Sequence, residues 1–201
     1  MMKLFYAPAS PFARKAIVLL RETGLSGDVE LVHVVGSPVA SENMPLAQNP
    51  LGKLPTLTRD SGTALYDSRV ITRYIDRLAG GGFYPEDSLW EVLTLEATAD
   101  GMMDAGVLMV YERRCRAPQQ QSEEWVEAQW AKIARSLDTL DSRWISHLQA
   151  PLNMGQIAVG CALGYLDFRH ADRDWRHGRA ALADWFATFA ARDSMTASAP
   201  S

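Results

Sequence analysis

Cysteine, excess positive charge and long apolar runs are what this 201-residue chain has least of, and each shortage excludes a class of function. Its two cysteines, Cys115 and Cys161, show no metal-ligand spacing. Two free thiols in a reducing compartment fit them better than a lone structural disulfide, and no metal is expected. Acidic residues outnumber basic ones by 24 to 20, giving a net charge of −4 and a pI near 5.6. That balance offers no broad phosphate-binding surface, so nucleic acid is excluded as a partner. No apolar run approaches the ~20 residues that cross a bilayer, so no membrane partner is expected. The opening "MMKLFYAPAS" carries too short an apolar stretch for a secretory signal and leads straight into patterned sequence. A cytoplasmic location follows as the expectation. With 47% hydrophobic and 22% charged residues, the chain has the profile of an ordinary globular protein, long enough for one large or two small domains.

The two halves follow different periods. "KLFYA" (3–7) reads as a strand. A helix follows, with Ser10 as N-cap, Pro11 at the first helical position and Gly24 as its stop. Arg14, one turn beyond Ser10, is expected at the surface. "VELVHVV" (29–35) leaves so few polar positions that it is expected to be covered on both faces. After a loop with Pro38, Pro45 and Pro50, "TLTR" and "TALYD" flank "DSG" and predict a hairpin turning at Gly62. "SRVITRYIDRL" (68–78) predicts a helix with Val70, Ile71, Tyr74, Ile75 and Leu78 on one face. The order is βαβ–ββα over residues 1–79, and the glycine-rich "AGGGFYPED" makes 80–87 a linker.

From 88 to 201 helical patterns replace strands. Trp130, Ile133, Leu137, Leu140 and Trp144 step by three and four behind a Ser122 cap. At "LNMGQIAVGCALGYLDF", Asn153 and Gln156 form a capping-box pattern, with Leu152 and Ile157 at the staple positions. The small, polar tail "TASAPS" is expected to fray.

Four stretches, spaced along nearly the whole chain, resemble the cytosolic glutathione S-transferase family. "SPFARK" (10–15) resembles the active-site turn of its serine- and cysteine-type classes, and "NPLGKLP" (49–55) the loop before its cis-proline. "DSRVITRYI" (67–75) resembles its γ-glutamyl motif, and "NMGQIAVGCALGYLDFR" (153–169) its buried capping-box helix. The resemblance implies an α/β thioredoxin-like N-terminal domain, an all-α C-terminal domain, a homodimer and glutathione as co-substrate. Two departures stand out. Gln156 occupies a place where the family commonly has Asp, which brings no charge to that helix start. Ser10 stands where the surrounding sequence favours cysteine.

Under this resemblance Leu54 meets the cysteinyl backbone of glutathione with its own backbone, beside a cis Pro55. Lys53 pairs with the glycyl carboxylate, while Asp67 and Ser68 hold the γ-glutamyl ammonium and carboxylate. A helix N-terminus suits that anion, although plain N-capping explains the same two residues. Ser10 donates to the glutathione sulfur. Lowering a thiol pKa of ~8.5 by about two units takes roughly 2.7 kcal/mol and leaves most of the bound thiol ionised. Ser10 as no more than a helix cap is the competing reading, and Tyr6 is the competing activator. Met103, Val107 and Tyr111, at helical spacing, line the acceptor pocket or belong to the core. Asp100 and Asp104 form a like-charge pair that needs a cation opposite; in the family, an acidic residue on this helix reaches the neighbouring subunit's glutathione. The expected reaction is addition of the glutathione thiolate to a small electrophile. A non-catalytic glutathione-fold binding or regulatory protein is the alternative, and a thiol transferase a further one that Ser10 argues against.

Overall fold

The computed structural model describes residues 1–200. β1 (Met2–Tyr6) is central, with β2 (Val29–His33) parallel on one side and β3 (Thr56–Thr58) antiparallel on the other. The parallel pair requires a crossover, which α1 (Pro11–Glu22) supplies. Ser10 caps α1 as expected, its Oγ accepting from the Ala13 amide at 3.3 Å, and Gly24 leaves it at φ 73°.

Two strand expectations are corrected. β2 is the sheet edge, not a doubly covered strand, and Leu31 and Val35 stand exposed. The hairpin's second arm shrinks to a single bridge between Leu57 and Leu65. Arg59 closes that turn by donating from Nε and Nη2 to the Thr63 carbonyl, so a side chain substitutes for ladder hydrogen bonds.

α2 (Ser68–Leu78) buries Ile71 and Ile75 but leaves Val70 and Leu78 exposed, contrary to the expected face. Its buried stripe rotates to include Thr72 and Asp76, because both find polar partners inward. Thr72 Oγ1 lies 2.8 Å from the Tyr84 hydroxyl, and Asp76 accepts the Phe83 amide at 2.8 Å.

The helical half contains α3 (Leu89–Cys115), α4 (Glu123–Arg143), α5 (Ile145–Leu148), α6 (Met154–Arg169), α7 (Ala180–Ala190) and α8 (Asp193–Thr196). α6 is its centre, fully buried from Met154 to Leu163 and packed along α3. Asn153 caps it, accepting the Gln156 amide at 3.3 Å. The reciprocal half of the capping box does not form. Gln156 Nε2 instead donates to the carbonyls of His147, Ala150 and Pro151 at 2.9–3.2 Å. The tail is not frayed through Pro200: the Ala197 and Ala199 amides and the Ser198 hydroxyl are all hydrogen-bonded, while Ser201 lies outside the described residues.

Candidate glutathione site

The loop before β3 is organised by buried Asn49. Its Nδ2 donates to the Lys53 carbonyl at 3.0 Å and to Thr56 Oγ1 at 3.1 Å, and its Oδ1 accepts the Leu51 amide. These bonds fix the segment containing the cis Leu54–Pro55 bond. Among the described residues, neither the amide nor the carbonyl of Leu54 has a hydrogen-bond partner. Both strand-type positions are therefore open to an added peptide. Lys53 is exposed.

Ser68 begins α2 with 3% of its surface exposed. No protein group among the described residues bonds its Oγ, although its carbonyl accepts from Thr72. Asp67 is the N-cap, accepting the Arg69 amide at 3.0 Å and pairing with Arg69 Nη2 at 2.8 Å. Burial pushes its carboxyl up, but the Arg69 hydrogen bonds and charge outweigh burial and hold it below the usual range. An ionised carboxylate beside an open hydroxyl and the unpaired Ser68 amide at a helix start matches the charges of an amino-acid head group.

At the other helix start, Ser10 Oγ spends one lone pair on Ala13 and keeps its own proton for an outside acceptor. Capping and thiol activation are thus compatible. Tyr6, at the end of β1, packs its ring against His33 with centroids 5.9 Å apart.

The cation that Asp100 needs is Lys15. It is fully buried, with Nζ 2.6 Å from Asp100 Oδ1 and 3.0 Å from Glu96 Oε1. The Tyr84 hydroxyl donates to the other oxygen of Glu96 at 3.0 Å. Asp100 Oδ2 lies 3.8 Å from Arg69, which joins this network to Asp67. Asp100 is therefore tied to two cations of its own chain. Burial, reinforced by Glu96 and opposed by Lys15, pushes its carboxyl up to about 6. Asp104 is exposed; burial raises its carboxyl while Lys53 and Arg69 pull it down.

Nothing local in the sequence marked Glu96, and Lys15, Asn49 and Arg69 were visible only as parts of motifs. Of the apolar stripe, Met103 belongs to the core, while Val107 and Tyr111 stay partly accessible. Arg14, expected at the surface, is buried. Cys161 is also buried, its thiol pushed up to about 11 by desolvation, so it is a poor nucleophile. Cys115 is a second free thiol. No group of three or more metal-ligating side chains converges, and no helix is long and apolar enough to cross a membrane, among the described residues.

A small mixed sheet with a cis-proline before its last strand, followed by a helical half built on one capped, buried helix, defines the glutathione S-transferase fold. The chain belongs to the glutathione S-transferase family. Residues 4–82 match the family's N-terminal domain and residues 123–188 its C-terminal domain. YibF, an uncharacterized GST-like protein of Escherichia coli (strain K12), is 35% identical over 99% of this chain and 98% of its own length. A glutathione transferase family member from Pseudomonas fluorescens Pf-5, solved with bound glutathione, is 45% identical over the whole of both chains, with a TM-score of 0.97. A glutathione S-transferase from Methylobacillus flagellatus KT, also solved with glutathione, is 36% identical over the whole of both chains, with a TM-score of 0.89.

Proposed function

We propose that this protein binds glutathione, ionises its thiol and adds the thiolate to small electrophiles. The observation that carries the reading is Ser10: its hydroxyl proton is uncommitted at the positive end of α1. A hydrogen bond to a charged partner contributes about 1.5–3 kcal/mol and a helix N-terminus about 0.3–1 kcal/mol. Together they reach the roughly 2.7 kcal/mol that two pH units of thiol activation require.

The open Leu54 backbone would pair with the cysteinyl unit beside cis Pro55. Ser68 and the α2 N-terminus would take the γ-glutamyl carboxylate, Asp67 its ammonium and Lys53 the glycyl carboxylate. Glutathione in the two bacterial relatives supports this assignment. So does the Pseudomonas fluorescens protein solved with S-(propanoic acid)-glutathione, a compound in which the glutathione sulfur already carries a carbon substituent. Residues 1–79 would form the glutathione domain, 80–87 the linker and 88–201 the helical domain. We take the working form to be a cytoplasmic homodimer acting in detoxification. The exposed Val70 on α2 and Trp90 on α3 are apolar surface suited to a partner copy.

The test is the ultraviolet thiolate absorbance of bound glutathione, titrated with pH in the wild type and in Ser10→Ala. The expected result is a thiol pKa about two units below ~8.5 in the wild type, restored toward ~8.5 in the variant. Binding without a depressed pKa in either protein would make Ser10 a helix cap and this chain a glutathione-binding module.

A further inference from the structure

Arg14 is a buried guanidinium with no carboxylate partner among the described residues. Its Nη2 donates to the Met195 carbonyl at 2.9 Å and its Nε reaches Ser198 Oγ at 3.4 Å. It lies so flat on α6 that a Cβ at Gly164 would come within 2.4 Å of Nη1. At the far end of α1, Glu22 accepts both Nε and Nη2 of Arg192, at 2.9 and 2.8 Å, and also the Ser194 hydroxyl. Arg192, with Ser194, holds the Glu22 carboxyl below its usual range despite partial burial. Between the two attachments Met195 is sunk into the core, 1% exposed.

Residues 192–198 thus grip α1 at two points eight residues apart, about 12 Å along its axis. One grip lies a single turn from Ser10, and the Arg14 amide itself donates to the Ser10 carbonyl at 3.1 Å. A rigid helix fixed at two points has its tilt fixed, and the group at its first turn moves with that tilt.

We infer that residues 192–198 form a strap that sets the seat of α1 on α6 and so aims the Ser10 hydroxyl, with Arg14 and Arg192 as positioning residues. The inference rests on the reading of Ser10 as thiol activator. It assigns to the tail a part in catalysis although the tail touches no residue of the glutathione site. The charge of Arg14 is not what acts: its partners are a carbonyl and a hydroxyl, and what serves them is the reach of its side chain and its N–H donors.

The experiment compares Arg192→Ala, Arg192→Lys and Arg14→Gln in the full chain. Arg192 is exposed and remote from the glutathione residues, so Arg192→Ala is expected to bind S-methylglutathione within about twofold of wild type. Its bound glutathione thiol is expected to titrate about one pH unit higher, a tenfold loss of thiolate at lower pH. Arg192→Lys retains an ion pair with Glu22 and recovers most of the wild-type titration. Arg14→Gln, about two atoms too short to reach the Met195 carbonyl, shifts the titration in the same direction as Arg192→Ala. An unchanged thiol pKa in Arg192→Ala overturns the inference where the wild type shows a depressed one. If the wild-type thiol is not depressed, it is the Ser10 reading that fails. Amide exchange then decides the strap by itself: at least tenfold faster exchange of Ala13 and Arg14, with α6 and β1 unchanged, supports it. No change, or an acceleration shared by α6 and β1, overturns it.

Discussion

Ser10 and Asp100 show how one side chain comes to hold two duties. The oxygen that accepts the Ala13 amide in Ser10 is the same atom whose proton would face the glutathione sulfur. Ser10→Ala therefore removes a cap and, under the proposed function, an activator at once. Its stability cost, about 1 kcal/mol in urea denaturation, is too small to account for a restored thiol pKa. Asp100 neutralises Lys15 yet shares it with Glu96, so the buried cluster has two carboxylates for one ammonium. Its carboxyl, pushed by burial from 3.8 to about 6, binds a proton more readily folded than unfolded. The sign follows directly. Between about pH 4 and 6 the unfolded chain gives up a proton that the folded one keeps, so raising pH through this window lowers stability. The gap is worth roughly 3 kcal/mol, fully felt above pH 6. Asp100→Asn escapes it. Urea denaturation at pH 4 and pH 7 is expected to show the variant gaining up to that amount on the wild type as pH rises, and an equal difference at both would sink this account.

At the scale of elements, α6 turns on Gln156. An Asp there carries charge to the helix start but has no proton to donate. Gln156 supplies two N–H donors, shared among three carbonyls of the preceding turn. The departure from the family pattern is a change of partner, from the cap to the turn leading out of α5. Gln156→Glu keeps the size and loses the donors, setting a buried carboxylate against three carbonyl oxygens. A loss of about 2–4 kcal/mol in urea denaturation is expected, against under 1 kcal/mol if the side chain only capped the helix. Helix starts of this kind were legible in sequence because a cap and its amide lie two or three residues apart, as at Ser10, Ser122 and Asn153. The failed second arm of the hairpin was not, because alternation in "TALYD" does not reveal whether a partner strand runs alongside.

Across the whole molecule, Lys15 is a buried cation joining the sheet-bearing half to the helical half, reaching from α1 to α3. Removing it leaves two buried carboxylates unpaired. Lys15→Met is expected to cost about 3–5 kcal/mol. The triple variant Lys15→Met, Glu96→Gln, Asp100→Asn is expected to recover most of that loss, and a triple variant as unstable as the single one would show that charge pairing is not what Lys15 provides. The sequence by itself determined the helix starts at Ser10, Ser122 and Asn153 and the two periods of its halves, and the resemblance of its motifs nominated a cis-proline loop and the candidates Ser10, Lys53, Leu54, Pro55, Asp67 and Ser68. The helix starts rest on neighbours within a turn, where side-chain spacing dictates who can bond whom, and the candidate residues rest on the resemblance of short contiguous motifs. Tertiary structure alone decided that Lys15 and Arg14 are buried, that β2 is an edge and that the tail clasps α1. Each of those outcomes depends on a partner far along the chain, such as Asp100 for Lys15 and Met195 for Arg14, and long polar side chains carry no local mark of whether water or a distant carboxylate will receive them.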